Sequence, residues 1–334
     1  MPLVPMKQIL DEAEKGGYGV GAFNVNNMEQ IQAIMRAAKD TNSPVIIQAS
    51  RGALRYTNLI YLRKLMEAAA EDNPKIKIAL HLDHGNDLDV VKQAIDLGFT
   101  SVMLDGSLEA DGKTPRSFEG NADITRRAVE LAHPYGVTVE GELGTLGGVE
   151  EHVAASVAIL TEPEEAVTFV EQTGVDALAV AIGTSHGAYK FKAEPKLAID
   201  RVEKIHQLAP DVRLVMHGSS SVPAELVAEV NKYGGQMPNA MGVPVTAIQD
   251  GIRKGIRKIN IDTDTRIAAT ATIRRIFHEE PGVFDPREYL GPVRDAIYAV
   301  VKARMEAFGS AGHNDDYAPM TLEDTKKLYA KKRG

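Results

Sequence analysis

Eight short apolar segments punctuate this chain of 334 residues, each ending in polar or glycine-flanked residues and each separated from the next by an amphipathic stretch of helical period. The segments are 19–24, 45–50, 77–83, 101–105, 138–142, 177–182, 213–217 and 257–262. The helical stretches are 28–40, 59–71, 88–97, 122–133, 163–172, 195–207, 223–233 and 265–279. Strands alternating with helices build a parallel sheet, and eight of each is the count of an α/β fold, the closed (β/α)8 TIM barrel. A composition of 44% hydrophobic and 25% charged residues supplies a large core and excludes disordered and collagen-like chains. The expectation is one catalytic domain over 1–334, with an N-terminal helix and with 281–334 as a helical extension packing outside the barrel.

The alternation inside the segments supports closure, because a barrel strand gives one face to the helices and the other to the interior. Ile76, Ile78, Leu80 and Leu82 share one face, leaving Ala79, His81 and Asp83 on the other. Leu178, Val180 and Ile182 oppose three alanines, Val137 and Val139 oppose Thr138, Glu140 and Glu142, Leu214 and Met216 oppose Val215 and His217, and Ile259 and Ile261 oppose Asn260 and Asp262. The interior face is thus small where strands begin and polar where they end, and barrel active sites lie at the ends.

Those ends bring together Asn24, Ser50, Asp83, His84, Asp105, Glu142, His186, His217, Asn260 and Asp262. Charges gathered in a barrel mouth need partners or a cation, since unpaired ones are destabilising by several kcal/mol each. With no cysteine in the chain, a metal must be held by His, Asp or Glu. His84, His186 and His217 each stand at a strand end followed by glycine, and three histidines with one open position form a catalytic Zn²⁺ arrangement. Asp105 and Glu142 are read either as ion-paired or as holding a second or alternate divalent position. His81 reads as a hydrogen-bonded interior residue, and His133, His152, His206, His278 and His313 as surface or packing residues.

A net charge of -8 argues against a general nucleic-acid binder, so any anion is held locally. The first twenty residues read as a helix rather than a signal peptide, and no apolar run approaches a membrane span, which predicts a cytoplasmic protein without membrane partners. Three glycine- or hydroxyl-rich turns, 183–190, 218–222 and 260–265, follow late strands. Backbone amides there, continued by helix N-termini, suit phosphate.

Taken together, Ala22-Phe23-Asn24-Val25-Asn26, His81-Leu82-Asp83-His84-Gly85, Val139-Glu140-Gly141-Glu142-Leu143-Gly144, Gly183-Thr184-Ser185-His186-Gly187, His217-Gly218-Ser219-Ser220 and Asn260-Ile261-Asp262-Thr263-Asp264 resemble the class II, metal-dependent fructose-1,6-bisphosphate aldolases over nearly the whole chain. Phe284-Asp285-Pro286-Arg287 and Tyr289-Leu290-Gly291-Pro292 resemble the branch associated with the Calvin cycle and bacterial glycolysis. The resemblance implies a lyase with a sugar bisphosphate substrate, and His84, His186 and His217 on a catalytic Zn²⁺, with Asp105 and Glu142 near a second or resting metal position. It implies Asp83 as the acid/base at the C4 hydroxyl and Glu150 as the carboxylate that protonates C3. It also implies that Asn24, Gly187, Gly218, Ser219, Ser220, Asn260, Asp262 and Thr263 contact substrate, with a monovalent cation near Gly187 and Gly218. Ser50 and Arg266 then meet the aldehyde phosphate, joined by Arg287 from a neighbouring subunit of a homodimer or homotetramer.

The chemistry agrees. Cleaving the C3–C4 bond of a ketose needs an electron sink at C2, either a cation or a lysine imine. Lys77 and Lys258, the lysines within the strands, stand at early strand ends, which disfavours the imine. The glycine-rich stretch 144–151 carries Glu150 and reads as a closing lid. Competing readings are an aldolase for tagatose 1,6-bisphosphate or sedoheptulose 1,7-bisphosphate, a zinc hydrolase, and a non-catalytic phosphate-ligand binding protein. The basic run ending the chain reads as a solvated helix end.

Overall fold

The computed structural model describes residues 3–109, 114–145, 147–150, 153–155, 159–189 and 196–333, with side chains described for all of these but 147–150, 153–155 and 332–333. Eight parallel strands close into a barrel: β1 (Val20–Asn24), β2 (Val45–Ser50), β3 (Ile78–Gly85), β4 (Ser101–Leu104), β5 (Thr138–Leu143), β6 (Ala177–Val180), β7 (Arg213–Met216) and β8 (Ile256–Ile261). Each pairs with its successor in the chain, and β8 pairs with β1. All eight coincide with the expected segments.

Side chains sort as a two-residue period requires. Val20, Ala22, Ile46, Ala79, Met103, Ala177, Ala179 and Val215 meet inside the barrel, where Met6, Ile9, Leu10 and Ala13 of the helix Met6–Gly16 join them. That helix plugs the N-terminal end of the barrel. The outward faces, including Ile78, Leu80 and Leu82 of β3, pack into the larger core beneath the outer helices.

The helical layer departs from expectation in its last quarter. Ala224–Lys232 packs against Thr263–Glu279, and Val227, Val230, Ile267 and Ala271 make a small core of their own, so neither helix takes a place in the ring. Those places belong to Val245–Arg253, which the sequence reading left unassigned, and to Pro286–Phe308, which lies against Met28–Thr41 and β1. Gly251 within the first and Pro292 within the second weaken the local helical signal. Packing overrides that weakness: Gly251 leaves room for Met216, and Val293, Ile297, Val301, Met305 and Phe308 enter the main core.

A short helix, Arg51–Thr57, follows β2, and Leu322–Arg333 ends the chain. This last helix is not merely solvated. Tyr329 is buried, stacks on His133 at 3.6 Å and donates its hydroxyl to Asp176 Oδ2 at 2.8 Å. Among the described residues no helix is long and apolar enough to cross a membrane.

Candidate metal centre and active site

Strand parity places Asp83 inside the barrel and His84 on the outer face, yet both residues reach the mouth. The pairing of β3 with β4 shifts register between Leu82 and Gly85, and His84 adopts a left-handed backbone with φ 52°. A bulge of this kind re-aims a side chain at the end of a strand. Gly85 permits it, because a Cβ there would lie 2.6 Å from the Met103 carbonyl oxygen. Gly218 serves His217 similarly: with φ 61°, it lets the turn after β7 approach the Ser185 carbonyl oxygen, which a Cβ would meet at 2.6 Å.

The three histidines converge. The His84 ring centroid stands 4.7 Å from that of His217 and 5.2 Å from that of His186. His217 Nε2 lies 2.7 Å from Glu140 Oε1, and His84 Nδ1 lies 3.3 Å from Asp105 Oδ2. Carboxylates only accept, so these two nitrogens carry the protons. The remaining nitrogens, His217 Nδ1 and His84 Nε2, then turn lone pairs toward each other across 3.0 Å. A shared proton on His84 or a metal ion between the rings reconciles them. Two imidazole nitrogens on one tetrahedral ion are roughly 3.3 Å apart at metal–nitrogen distances of about 2.0 Å, so the pair fits a metal. Burial opposes charge on His84, but Asp83, Asp105 and Glu142 outweigh it and hold its pKa well above the usual imidazole value. Burial, then His84 and Lys258, push that of His217 well below.

Among the described residues two donor groups share His84. One is Asp83, His84 and His217; the other is His84, Asp105 and Glu142. Asp105 accepts from the Ser107 amide at 3.0 Å and hydroxyl at 2.6 Å; His84 and Ser107 outweigh burial and lower its pKa to about 2. Glu142 is 2% exposed with Oε2 lacking a hydrogen-bond partner among the described residues, and burial followed by Asp105 raises its pKa well above the usual range. An orphaned buried carboxyl oxygen beside an aspartate and a histidine suits a second divalent position. His186 is buried beside His84 but outside both donor groups.

Asp83 is gripped from three strands. Asn24 Nδ2 donates to Oδ2 at 2.9 Å, Gln48 Nε2 to the same oxygen at 3.3 Å, and Asn260 Nδ2 to Oδ1 at 3.1 Å. Gln48 also donates to Asn24 Oδ1 at 2.6 Å, fixing that amide. Sequence reading missed Gln48 although it shares the inner face of β2 with Ser50, and it missed Ser107. Fixed amides around a carboxyl 3% exposed make an oriented acid/base group at the edge of the metal cluster.

The late turns are joined. Ser220 Oγ accepts from the Asp262 amide at 3.1 Å, tying the turn after β7 to that after β8, and Ser219 Oγ donates to the Met216 carbonyl at 2.7 Å. Thr263 opens the helix Thr263–Glu279, whose first turn has no side-chain cap, leaving amides for an anion. Arg266 is exposed and pairs with Asp262 through Nε at 2.8 Å. Ser50 caps Arg51–Thr57 by accepting from the Ala53 amide at 3.2 Å. Gly187, with φ 84°, follows His186 in the loop after β6. Arg287 stands apart from this cluster, its side chain 90% exposed and paired with Asp285.

The stretch 144–151 contains the strand Gly147–Glu150, which forms an antiparallel hairpin with Val153–Ala155 and pairs in parallel with Ser185–His186. It adds a strand to the segment carrying His186. The Glu150 side chain lies outside the described residues.

Comparisons agree with this geometry. The family model for class-II fructose-bisphosphate aldolase matches residues 4–313. The chain is 57% identical to a fructose-bisphosphate aldolase of Giardia intestinalis, over 98% of this chain and 100% of that one. It is 50% identical to one of Pseudomonas aeruginosa, over 99% and 98%. The crystal structure of the YdjI aldolase from Escherichia coli K12 superposes with a TM-score of 0.75 at 29% identity, covering 94% of this chain and all of that one. With matched sequence from end to end of its relatives and a barrel mouth that gathers imidazoles and carboxyls, this chain belongs to the class II fructose-bisphosphate aldolase family, a metal-dependent family of lyases.

Proposed function

We propose that the chain cleaves fructose 1,6-bisphosphate reversibly into dihydroxyacetone phosphate and glyceraldehyde 3-phosphate, with Zn²⁺ held by His84, His186 and His217. The observation that carries this reading is the 3.0 Å approach of the His84 and His217 ring nitrogens beside an amide-gripped Asp83. When bound, the metal polarises the C2 carbonyl and stabilises the enediolate charge. Asp105 and Glu142 serve a second or resting divalent position.

The protein's own groups do the rest. Asp83 takes the C4 hydroxyl proton during cleavage and returns it in condensation, its free lone pairs aimed by Asn24, Gln48 and Asn260. The turns at Gly187, at Gly218, Ser219 and Ser220, and at Asp262 and Thr263 take the phosphate of the dihydroxyacetone half, with a monovalent cation beside Gly187 and Gly218. Ser50 and Arg266 receive the other phosphate, and Glu150 protonates C3. The exposure of Arg287 supports its service to a neighbour in a homodimer or homotetramer. We place the enzyme in the cytoplasm, in glycolysis, gluconeogenesis or the Calvin cycle.

The two lysines within the strands offer an imine route no free nucleophile. Lys258 is fully buried with its amine engaged by Asn260 at 2.7 Å, and Lys77 is held by the Asn314 carbonyl at the opposite end of the barrel. The test is aldehyde release from fructose 1,6-bisphosphate before and after chelation, with Zn²⁺ or Co²⁺ restored and with borohydride present. Activity that survives complete demetallation, or that borohydride traps, defeats the reading. A higher kcat/KM for tagatose 1,6-bisphosphate or sedoheptulose 1,7-bisphosphate would reassign the substrate alone.

A further inference from the structure

Directly below the mouth, between the apolar plug and the metal cluster, Lys258, Glu140 and His81 are all 0% exposed. Lys258 Nζ lies 3.0 Å from Glu140 Oε2, an ion pair slightly off the hydrogen-bonding direction, and His81 Nε2 lies 3.4 Å from the same oxygen. Replacing such a pair with apolar side chains is commonly neutral or stabilising, so stability alone does not account for it. What it touches does.

Each partner extends one arm upward. Glu140 Oε1 meets His217 Nε2 at 2.7 Å, and Lys258 Nζ donates to Asn260 Oδ1 at 2.7 Å. Both contacts select between near-isosteric states. An imidazole has two tautomers, and an acceptor-only Glu140 keeps the proton on Nε2 and the lone pair of Nδ1 toward His84. An amide has two faces, and a donor-only Lys258 keeps Oδ1 of Asn260 downward, so that Nδ2 meets Asp83 rather than setting oxygen against oxygen.

We propose that Lys258 and Glu140 are positioning residues that together set the ligand tautomer of His217 and the amide orientation of Asn260, coupling the metal site to the acid/base from beneath. The proposal rests on the aldolase reading for its turnover arm and stands without it for its metal arm.

The test uses Glu140→Gln, Lys258→Met and the double variant. In Glu140→Gln, Lys258 still demands an oxygen, so the new NH₂ turns to His217 and forces its other tautomer. Affinity for Co²⁺ or Zn²⁺, read by competition with a chelator, falls about tenfold or more. Adding Lys258→Met frees the glutamine to turn its oxygen back to His217, and metal affinity recovers to within about threefold of the parent. Turnover does not recover, because Asn260 has lost its anchor: kcat stays down by about tenfold or more with KM little changed.

Recovery of metal affinity without recovery of kcat is the expected signature. The proposal is overturned if the two readouts move together in the double variant, if Glu140→Gln binds metal as the parent does, or if none of the three variants folds. Parent protein that binds metal but releases no aldehyde would instead defeat the proposed reaction, leaving the metal arm of the test intact.

Discussion

Arg304 grips the buried carboxyl of Asp264, with Nε and Nη2 both on Oδ2 at 3.0 and 2.9 Å, while Oδ1 accepts from the Val222 amide at 2.8 Å. Three parts of the chain meet at this aspartate: the helix Pro286–Phe308, the start of the helix Thr263–Glu279 and the turn after β7. Val222 is a β-branched residue held at φ 51°, a strained conformation that persists only where its surroundings enforce it. Arg304→Met leaves Asp264 buried and unpaired, and we expect a loss of about 3–5 kcal/mol in unfolding free energy. KM for the bisphosphate should rise more than kcat falls, since the phosphate turn loosens while Asp83 is untouched. Chemical denaturation and steady-state kinetics on one preparation check both.

Asp83→Ala should abolish the proton step and leave the metal in place. The expected loss is about 10²- to 10⁴-fold in kcat, the range for removal of a general acid/base, with metal content by elemental analysis equal to the parent. Equal turnover would assign the proton to another group. Loss of the metal itself would make Asp83 a ligand, as its place in one donor group allows.

Glu142 gives a pH dependence whose sign follows from its raised pKa. Demetallated protein binds the glutamate proton more tightly when folded, so folding stability is fullest below the ordinary value of 4.5 and declines as pH rises toward the raised one. Glu142→Gln removes that decline and should stabilise demetallated protein at about pH 8 by on the order of 1 kcal/mol. In metal-loaded protein the same substitution should weaken the second ion. Thermal unfolding across pH, with and without chelator, reads the two cases apart.

Gly85→Ala tests the bulge that aims His84. Its Cβ would collide with the Met103 carbonyl, a backbone atom that cannot swing away. We expect about 1–3 kcal/mol of destabilisation and a metal affinity at least about tenfold weaker. Unchanged affinity would show that His84 reaches the cluster without the bulge.

Tyr329→Phe is the control at the far end of the barrel. It removes one hydrogen bond to Asp176, which keeps those from the Val139 amide at 2.9 Å and His133 at 3.0 Å. A loss of about 1 kcal/mol with unchanged kcat is expected. Altered turnover would mean that the C-terminal helix communicates with the mouth.

The barrel was legible because its signal is local and repeated: alternation within each strand tells inside from outside with no knowledge of neighbours. Sequence reading reached Asp83, Asp105, Glu142, His186 and His217 by asking which polar residues end strands. It reached His84 by the same question, but not its aim, since parity sends it outward and only a register shift against β4 brings it back. Gln48 and Ser107 escaped because their roles exist only across strands or turns. The pairing of Arg266 with Asp262, and the hairpin laid beside Ser185–His186, likewise depend on tertiary approach. The ring places taken by Val245–Arg253 and Pro286–Phe308 were hidden by a glycine and a proline that packing tolerates and local propensity does not.

The helix Met6–Gly16 stoppers the cylinder from beneath with Met6, Ile9 and Leu10. With that end shut, the sugar reaches the interior from the opposite side, where the imidazoles stand.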